Sequence, residues 1–352
     1  MTTTSPSARQ RRPRGPMTVA RIADLAGVSA PTVSKVINGH AGVAPDTRRR
    51  IEELIREHQY QRAEHKPAAG NIEIVFQALD DLWALDSLWA LEIVRGVQKV
   101  AREHELAVAI TDMQRSPTPG RGWSEQVASR HPTGVITVSG QLTRRQQTRL
   151  TAAAIPVVAL DPSGEPDHAV PSVGATNWNG GLAATRHLLG LGHRRIAMIN
   201  GPAEYLCCRA RLDGYRAAMD AAGLAADADL LRMGPLKVEG GRDAAMELLS
   251  LTDPPTAVFT ANDLQAVGVY EAARHRGLHI PRDLSVVGFD DLAFVQWSAP
   301  PMTTVRQPLA EMGAAAATML LDLAAGRQPA YDRLELPTTL VVRESTAPPR
   351  KR

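Results

Sequence analysis

Two cysteines and the absence of a long apolar stretch set the first limits on this 352-residue chain. Cys207 and Cys208 are adjacent, and neighbouring cysteines form a disulfide only with strain, so we expect no disulfide framework and a reduced, cytoplasmic setting. No apolar run approaches ~18 residues, which predicts that no segment spans a membrane. The N-terminal segment MTTTSPSARQRRPRGP has no apolar core, and we do not expect it to be a signal peptide.

Catalytic and metal-binding motifs are also missing from the sequence. It contains no Walker loop, no GxGxxG, no GxSxG and no HExxH. The ten histidines show no spacing typical of a metal site. We therefore expect a protein that is not an enzyme and that carries neither a cofactor nor a metal. His193, in LGHRRI, is expected near a helix C-terminus, where the helix dipole favours a cation.

Charge is distributed unevenly along the chain, although the net charge is only +3. Residues 1–70 contain 12 Lys and Arg against 6 Asp and Glu, whereas the remainder is slightly acidic. This pattern favours contact with nucleic acid at one end of the protein. Residues 1–16 are polar, proline-rich and basic, which predicts a disordered tail whose arginines either contact DNA phosphates or are simply solvated. The length suits two or three domains.

Residues 19–38, VARIADLAGVSAPTVSKVIN, carry two helical patterns separated by a short break. An apolar stripe marks each helix, formed by Ile22, Ala23, Leu25 and Ala26 in the first and by Val33, Val36 and Ile37 in the second. Gly27 allows the tight bend because glycine enters left-handed backbone geometry without a steric penalty. Ser29 is a good N-cap for the second helix, and Pro31 fits its first turn.

The two predicted helices form either a DNA-binding helix-turn-helix or an ordinary helical hairpin, and the outward face of the second helix distinguishes these two interpretations. It is small and polar with one cation, and it consists of Ala30, Pro31, Thr32, Ser34 and Lys35. A helix-turn-helix inserts such a face into the major groove of DNA, whereas an ordinary helical hairpin would expose more charges of both signs. The pattern therefore favours a DNA-binding domain.

A third helix and a linker are predicted next. Pro45 suits the first position of a helix that ends near His58. Its apolar residues, which are expected to pack under the first two helices, are Ile51, Leu54 and Ile55. The linker from 61 to 71 contains no leucine, and Pro67 and Gly70 disfavour a helix there.

From Ile72 onward, strands and helices alternate at short spacing, which predicts an α/β fold. Strands are predicted at 72–76, 106–112, 134–139, 156–161, 195–201, 257–261 and 285–291. Helices are predicted at 88–105, 124–130, 143–154, 179–191, 209–222, 239–250 and 263–276. This alternation predicts parallel sheets with right-handed crossovers, and its restart after Gly174 predicts two doubly wound lobes that face one cleft. In this layout ligands bind beyond the carboxyl ends of the strands.

Several segments resemble the lactose-repressor (LacI/GalR) family of bacterial transcription regulators, and together they extend over nearly the whole chain. They are VARIADLAGVSAPTVSKVINGHAGVAPDTRRRI, ATRHLLGLGHRRIAMINGP, RARLDGYRAAM, PTAVFTANDLQAVGVYEAARHRG, LSVVGFDDL and PPMTTVRQP. The resemblance implies a helix-turn-helix headpiece and a periplasmic-binding-protein-like core whose chain crosses between lobes three times. The crossings are expected near Gly174, near Phe294–Arg306 and near Arg327–Arg333. Helix 309–324 would then return to the first lobe, and strand 338–344 would complete the second.

The resemblance also implies a domain organisation and a set of DNA contacts. The expected segments are a basic tail at 1–16, the DNA-binding domain at 17–60, the linker at 61–71, a two-lobed effector-binding and dimerisation domain at 72–346 and a tail at 347–352. DNA contacts are expected at Thr18, Ser29, Ala30, Pro31, Thr32, Ser34, Lys35, Asn38, Thr47, Tyr60 and Arg62. We expect a dimer, because VVRESTAPPRKR lacks the leucine heptads with which the lactose repressor forms tetramers.

Four polar residues are candidates for holding the effector in the interlobe cleft. Arg211 in RLDGY, Asn262 after AVFTA and Asp290 after SVVGF match the clamps with which the family grips a sugar or nucleobase. They offer a forked donor, a donor with an acceptor, and an acceptor of two hydroxyls. Asp161, which ends PVVALD on the first lobe, is the fourth. For each residue the alternative is a helix cap or a structural salt bridge.

Aromatic residues are candidates for the same cleft because indole faces stack on sugar rings. The candidates are Trp89, Trp178 and Phe289. All five tryptophans fall at strand ends, helix starts or loops, where an amphipathic side chain also packs without any ligand. A tandem repeat at 80–91, DDLWAL followed by DSLWAL, either adds a wall to the cleft or is a neutral insertion.

The sequence as a whole predicts a ligand-responsive repressor of sugar-utilisation genes. A mono- or oligosaccharide effector would release a homodimer from a palindromic, double-stranded DNA operator. One alternative is a family member in which a co-repressor such as a purine strengthens DNA binding. The other is a sugar-binding transport protein, which the basic headpiece and the missing signal peptide disfavour.

Overall fold

The computed structural model describes residues 19–37, 42–58, 70–77, 88–114, 122–164 and 170–350. The chain divides into two compact units, residues 1–68 and 69–352. No helix in the described ranges has both the length and the apolar character needed to cross a membrane. The basic tail at 1–16, linker positions 61–69 and most of the tandem repeat lie outside these ranges.

Three helices form the first unit: α1 Val19–Ala26, α2 Ala30–Ile37 and α3 Pro45–Glu57. Gly27 turns the chain between α1 and α2 with a φ of +66°, a conformation that glycine adopts without strain. The side chain of Ser29 caps α2, because its Oγ accepts the backbone N–H of Thr32 at 3.4 Å. Pro45 occupies the first turn of α3, whose cap residue Ala44 makes no side-chain hydrogen bond. The predicted helix-turn-helix is therefore confirmed.

Apolar side chains on the inner faces of these helices form a small core. Its buried members are Ile22, Ala23, Ala26, Val33, Val36 and Ile51, and its half-buried members include Val28, Leu54 and Ile55. The prediction for Leu25 is wrong, because its side chain is 44% exposed. Leu25 lies roughly 100° around the helix from the centre of the buried stripe at 3.6 residues per turn.

Two six-stranded sheets form the core of the second unit. The first contains β1 Asn71–Phe76, β2 Ala107–Asp112, β3 Gly134–Val138, β4 Val157–Leu160, β5 Ser172–Ala175 and β11 Arg333–Leu336. The second contains β6 Ile196–Asn200, β7 Leu231–Met233, β8 Ala257–Thr260, β9 Ser285–Asp290, β10 Thr303–Arg306 and β12 Thr339–Val341. Their strand orders are β11-β5-β4-β3-β1-β2 and β12-β10-β9-β8-β6-β7. Among these strands only β12 pairs antiparallel, with β10, so the predicted doubly wound lobes are confirmed.

Helices cover both faces of each sheet. The first lobe carries α4 Leu88–Glu103, α5 Trp123–Arg130, α6 Arg144–Ala152 and α11 Leu309–Ala324. The second carries α7 Asn177–Gly190, α8 Leu206–Ala221, α9 Val238–Leu248 and α10 Asp263–His275. Strands β5, β7, β10 and β11 were not predicted from the sequence. Each has only three or four residues, too few to show an alternating pattern.

Three crossings connect the lobes within the described part of the chain. The first lies at Thr176, between β5 and α7, close to the predicted Gly174. The second lies at 307–308, just after the predicted Phe294–Arg306, because 303–306 still forms β10 in the second sheet. The third lies at 337–338 and not at Arg327–Arg333, because Arg333–Leu336 adds an edge strand to the first sheet. Helix α11 and strand β12 belong to the lobes that the resemblance implied.

The C-terminal segment packs on the second lobe, although a tail was predicted from residue 347. The N–H of Ala347 donates to Ser285 Oγ at 3.1 Å, and Arg350 pairs with Asp283 at 2.9 Å. His193 lies three residues beyond the end of α7 and contacts the Ala347 carbonyl oxygen at 2.9 Å. Burial lowers the pKa of His193, so the expected dipole-stabilised cation is wrong, and the ring instead helps to hold this segment.

Candidate functional site

A cavity of about 310 Å³ lies between the two lobes, at the carboxyl ends of both sheets. The first lobe lines it with residues that follow β1, β3 and β4, among them Gln77, Ser139 and Asp161. The second lobe lines it with Tyr205, Cys207, Arg211, Asn262 and Asp290. Strands that run in parallel present their carboxyl ends at one edge of the sheet, which explains why side chains so distant in sequence meet here.

Arg211 lines this cavity and is only 3% exposed. Its Nε donates to Asn177 Oδ1 at 2.9 Å, and its two terminal nitrogens donate to the carbonyl oxygen of Ala261 at 2.6 Å and to Gln307 Oε1 at 2.8 Å. The guanidinium carbon lies 3.7 Å from the centre of the Phe289 ring. These contacts hold the forked donor in one orientation, with part of it facing the cavity.

Glycines allow α7 and α8 to approach closely enough for this arrangement. A Cβ placed on Gly181 would lie 2.2 Å from the backbone oxygen of Arg211, and one on Gly214 would lie 2.1 Å from that of Trp178. Any larger residue at these two positions would push the helices apart. The close packing brings Asn177, in the first turn of α7, within hydrogen-bond distance of Arg211 in α8.

Asp290 ends β9 and places its carboxylate 3.8 Å from a terminal nitrogen of Arg211. The residue is 8% exposed, and burial raises the pKa of its carboxyl to about 7, although Arg211 acts in the opposite direction. Its φ of 111° lies in a region that most residues avoid. Near neutral pH this carboxyl can accept a hydrogen bond from a ligand hydroxyl or, when protonated, donate one.

Asp161 brings a second carboxyl group to the cavity, from the first lobe. It follows β4 with a φ of 46°, and burial raises the pKa of its carboxyl. The charge of Arg211 and a hydrogen bond from the Cys207 thiol act against this rise. The cavity is therefore lined by carboxyl groups from both lobes together with one buried cation, Arg211.

Asn262 is a helix cap as well as a cavity residue. Its Oδ1 accepts the backbone N–H of Gln265 at 2.9 Å, which caps α10, and its Nδ2 donates to the carbonyl oxygen of Leu236 at 3.1 Å. The helix-cap alternative from the sequence therefore describes the bonds that Asn262 makes. The residue is 6% exposed and still lines the cavity.

The aromatic candidates occupy three different surroundings. Trp89 lines the cavity from the first turn of α4 and packs edge-on against Phe76, with ring centres 5.9 Å apart. Phe289 is fully buried beneath Arg211 and does not line the cavity. Trp178 is 44% exposed and lies outside the cavity, so its prediction is wrong. Its neighbour Asn177 takes the inward direction, and successive residues point about 100° apart around a helix.

Several residues that line the cavity were not predicted from the sequence. Gln77 follows β1 and Ser139 follows β3, so the strand-end rule that identified Asp161 would also have found them. The Oε1 atom of Gln77 is buried and has no hydrogen-bond partner among the residues that the structure describes. Gln307 gave no such signal, because β10 before it was not predicted. Tyr205 and Cys207 belong to the loop and first turn that follow β6.

The expected DNA-binding face is exposed on α2. Ser29, Ala30, Pro31, Ser34 and Lys35 are exposed, whereas Thr32 in α2 and Thr47 in the first turn of α3 are half-buried. The remaining expected contacts, Thr18, Asn38, Tyr60 and Arg62, lie outside the described residues. The described part of α2 thus presents a short, small-residue surface with one cation, which suits entry into a major groove.

The described residues contain no group of three or more His, Cys, Asp or Glu side chains that is arranged to hold a metal ion. The polar side chains of the cavity instead offer hydrogen-bond donors and acceptors beside an aromatic wall. Such a lining suits a hydroxylated organic molecule.

Comparisons with known proteins agree with this architecture. Residues 18–63 match bacterial regulatory proteins of the lacI family, and residues 185–346 match the periplasmic binding protein-like domain. The HTH-type transcriptional regulator CelR of Thermobifida fusca is 34% identical over 344 residues, which cover 96% of this chain and 99% of that protein.

Solved structures extend the similarity to both units. A transcriptional regulator CelR–cellobiose complex matches with a TM-score of 0.71 and 33% identity, covering 94% of this chain and 99% of that one. A lac repressor dimer bound to operator and the anti-inducer ONPF matches with a TM-score of 0.68 and 26% identity, covering 95% of this chain and 100% of that one. From its helix-turn-helix, its two lobes and these relatives, the chain belongs to the lacI family of bacterial regulatory proteins.

Proposed function

We propose that this protein is a repressor of sugar-utilisation genes that binds a palindromic operator as a homodimer and is released when a small saccharide occupies the interlobe cavity. The exposed face of α2 supports the DNA-binding part. The similarity to CelR, whose structure contains cellobiose, and to the lac repressor dimer on its operator supports the effector class and the assembly. No catalytic step is part of this function.

One observation carries the proposal: Asp161 of the first lobe and Arg211 and Asp290 of the second line the same cavity, and Asp290 lies 3.8 Å from Arg211. Carboxyl groups accept hydrogen bonds from vicinal hydroxyls, and a guanidinium donates to hydroxyl oxygens. Trp89 adds an indole on the apolar side of the same cavity, where it can face a sugar ring. The volume of about 310 Å³ suits a ligand of mono- or disaccharide size.

The release mechanism follows from the position of these groups on two lobes. A sugar that bonds Asp161 on one lobe and Arg211 or Asp290 on the other binds best to a single relative arrangement of the lobes. It therefore shifts the protein towards that arrangement by the difference in binding free energy. If that arrangement also sets operator affinity, operator affinity and sugar affinity are linked reciprocally.

Titration of the purified protein with cellobiose tests this proposal. Fluorescence anisotropy on the operator should show release as cellobiose is added, and calorimetry should show saturable binding. Asp290→Ala should bind the operator normally and respond weakly or not at all, because losing a buried hydrogen-bond partner costs ~1–3 kcal/mol. Asp220→Ala, an exposed acid at the end of α8, is the matched control and should respond like wild type.

Three outcomes would contradict parts of the proposal. A normal response of Asp290→Ala would show that the effector binds elsewhere. Stronger operator binding on addition of cellobiose would show a co-repressor. Failure of cellobiose and of a panel of common mono- and disaccharides to bind would exclude a carbohydrate effector of this size.

A further inference from the structure

Asn177 links the two lobes through one side-chain amide. Its Nδ2 donates to the carbonyl oxygen of Ala175 at 3.2 Å, and Ala175 is the last residue of β5 in the first lobe. Its Oδ1 accepts from Arg211 Nε at 2.9 Å, and Arg211 belongs to α8 in the second lobe. The residue is 6% exposed and does not line the cavity. Asn177 therefore touches the effector-binding arginine without being placed to touch the effector.

The backbone next to Asn177 is the first crossing, and it is bonded to the third. The N–H of Thr338 donates to Thr176 Oγ1 at 2.9 Å. The N–H of Thr176 donates to the carbonyl oxygen of Leu336 at 2.9 Å. A change in the angle between the lobes must pass through this bonded pair of crossings, one residue from Asn177.

The second crossing reaches the same arginine. Gln307 accepts from Arg211 at 2.8 Å through its Oε1, and its backbone N–H donates to the carbonyl oxygen of Asp290 at 3.3 Å. Arg211 is thus held by Asn177, next to the first crossing, and by Gln307 of the second, and it also lines the cavity. Gln307 itself lines the cavity, which makes Asn177 the cleaner probe of the crossing.

Because Arg211 is buried, losing one of these hydrogen bonds would be energetically costly. A charged donor that loses its acceptor inside a protein forfeits a strong hydrogen bond and keeps its desolvation penalty. Asn177 and Arg211 move together on the second lobe, so when the lobes rotate about the crossings, the strain falls on the bond from Asn177 to Ala175 of the first lobe. The orientation of the guanidinium in the cavity and the angle between the lobes are therefore tied to each other.

We propose that Asn177 is a positioning residue that couples the occupant of the cavity, through Arg211, to the crossings between the lobes. The inference rests on the proposed function, in which Arg211 holds the saccharide. It assigns separate tasks to the two halves of one amide. The Oδ1 atom orients Arg211 for sugar binding, and the Nδ2 atom transmits the position of Arg211 to the first lobe.

Two substitutions separate these tasks. Asn177→Leu removes both polar atoms and should weaken cellobiose binding about tenfold, the usual effect of one lost hydrogen bond to a charged group. Asn177→Asp keeps the acceptor for Arg211 and loses the donor to Ala175. Its Kd for cellobiose should lie within about threefold of the wild-type value. Cellobiose should, however, lower its operator affinity by a smaller factor than it does in wild type. Asn179→Leu, exposed on the same turn of α7, is the matched control.

A third readout uses the protein without any ligand. Hydrogen exchange at the amide of Thr338 should accelerate in Asn177→Leu relative to Asn179→Leu, because the bonded crossings lose a neighbouring support. An unchanged exchange rate at Thr338 would overturn this inference, whether or not the wild-type protein binds a sugar. Failure of the wild-type protein to bind any sugar would refute the proposed function instead.

The proposal would also fail if folded Asn177→Leu bound and responded to cellobiose like the control, or if Asn177→Asp behaved like Asn177→Leu in both assays. Asn177→Ser replaces Asn177→Leu if the latter does not melt cooperatively, with the same expected direction.

Discussion

The buried carboxyl of Asp290 allows a test of whether this cavity residue lowers the free energy of unfolding of the protein. The substitution Asp290→Asn keeps the shape of the side chain and removes its charge, and Asn tolerates a positive φ better than most residues. In the wild-type protein burial raises the pKa of this carboxyl to about 7, against an ordinary value of 3.8. The nearby Asp161 acts in the same direction as burial, and Arg211 acts against it.

The sign of the effect follows from proton binding in the two states. Between pH 4 and 7 the native protein binds more protons at Asp290 than the unfolded chain does, so wild-type stability falls as pH rises through this window and then levels off. One pKa unit corresponds to 1.36 kcal/mol, so a rise of about three units destabilises the ionised native state by about 4 kcal/mol above pH 7. Asparagine carries no such penalty.

Asp290→Asn should therefore be about as stable as wild type near pH 4 and more stable by up to about 4 kcal/mol at pH 8. For a domain of this size that difference corresponds to a rise in Tm of roughly 7 °C. Thermal and urea unfolding of both proteins at pH 5, 6, 7 and 8 would measure it. A stability difference that did not change with pH, or a variant less stable at pH 8, would show that pairing with Arg211 outweighs burial.

Three further predictions concern the headpiece and linker. Lys35→Ala should cost ~1–3 kcal/mol of operator affinity and relax preference at one base pair, measured by anisotropy on operator variants; a uniform loss over all sequences would indicate phosphate contact alone. Ser29→Ala should lower headpiece stability by ~1 kcal/mol in thermal melts, because it removes the α2 cap; an unchanged Tm would contradict this. A circular-permutation gel should show little kink at the operator centre, because residues 61–71 contain no leucine to wedge into the minor groove; a sharp bend would contradict this.

The sequence by itself determined the features that depend on local rules. The turn at Gly27 and the cap at Ser29 are properties of a few neighbouring residues, and both appear where they were predicted. The strands of 72–76 and 285–291 and most helices were also predicted within a few residues, because their apolar runs and periodicity are long enough to be distinctive. The position of Asp161 and Asp290 at the cavity followed from the strand-end rule.

Only the tertiary structure decided which side chain of a neighbouring pair faces inward. Trp178 and Asn177 are adjacent, and the glycine contacts between α7 and α8 direct Asn177 to Arg211 and leave Trp178 exposed. The last two crossings were displaced for a similar reason. Strands β10 and β11 are too short to carry a pattern and form because the neighbouring strands β9 and β5 supply hydrogen-bond partners. Such contacts join residues that are distant along the chain, so no local stretch of sequence contains them.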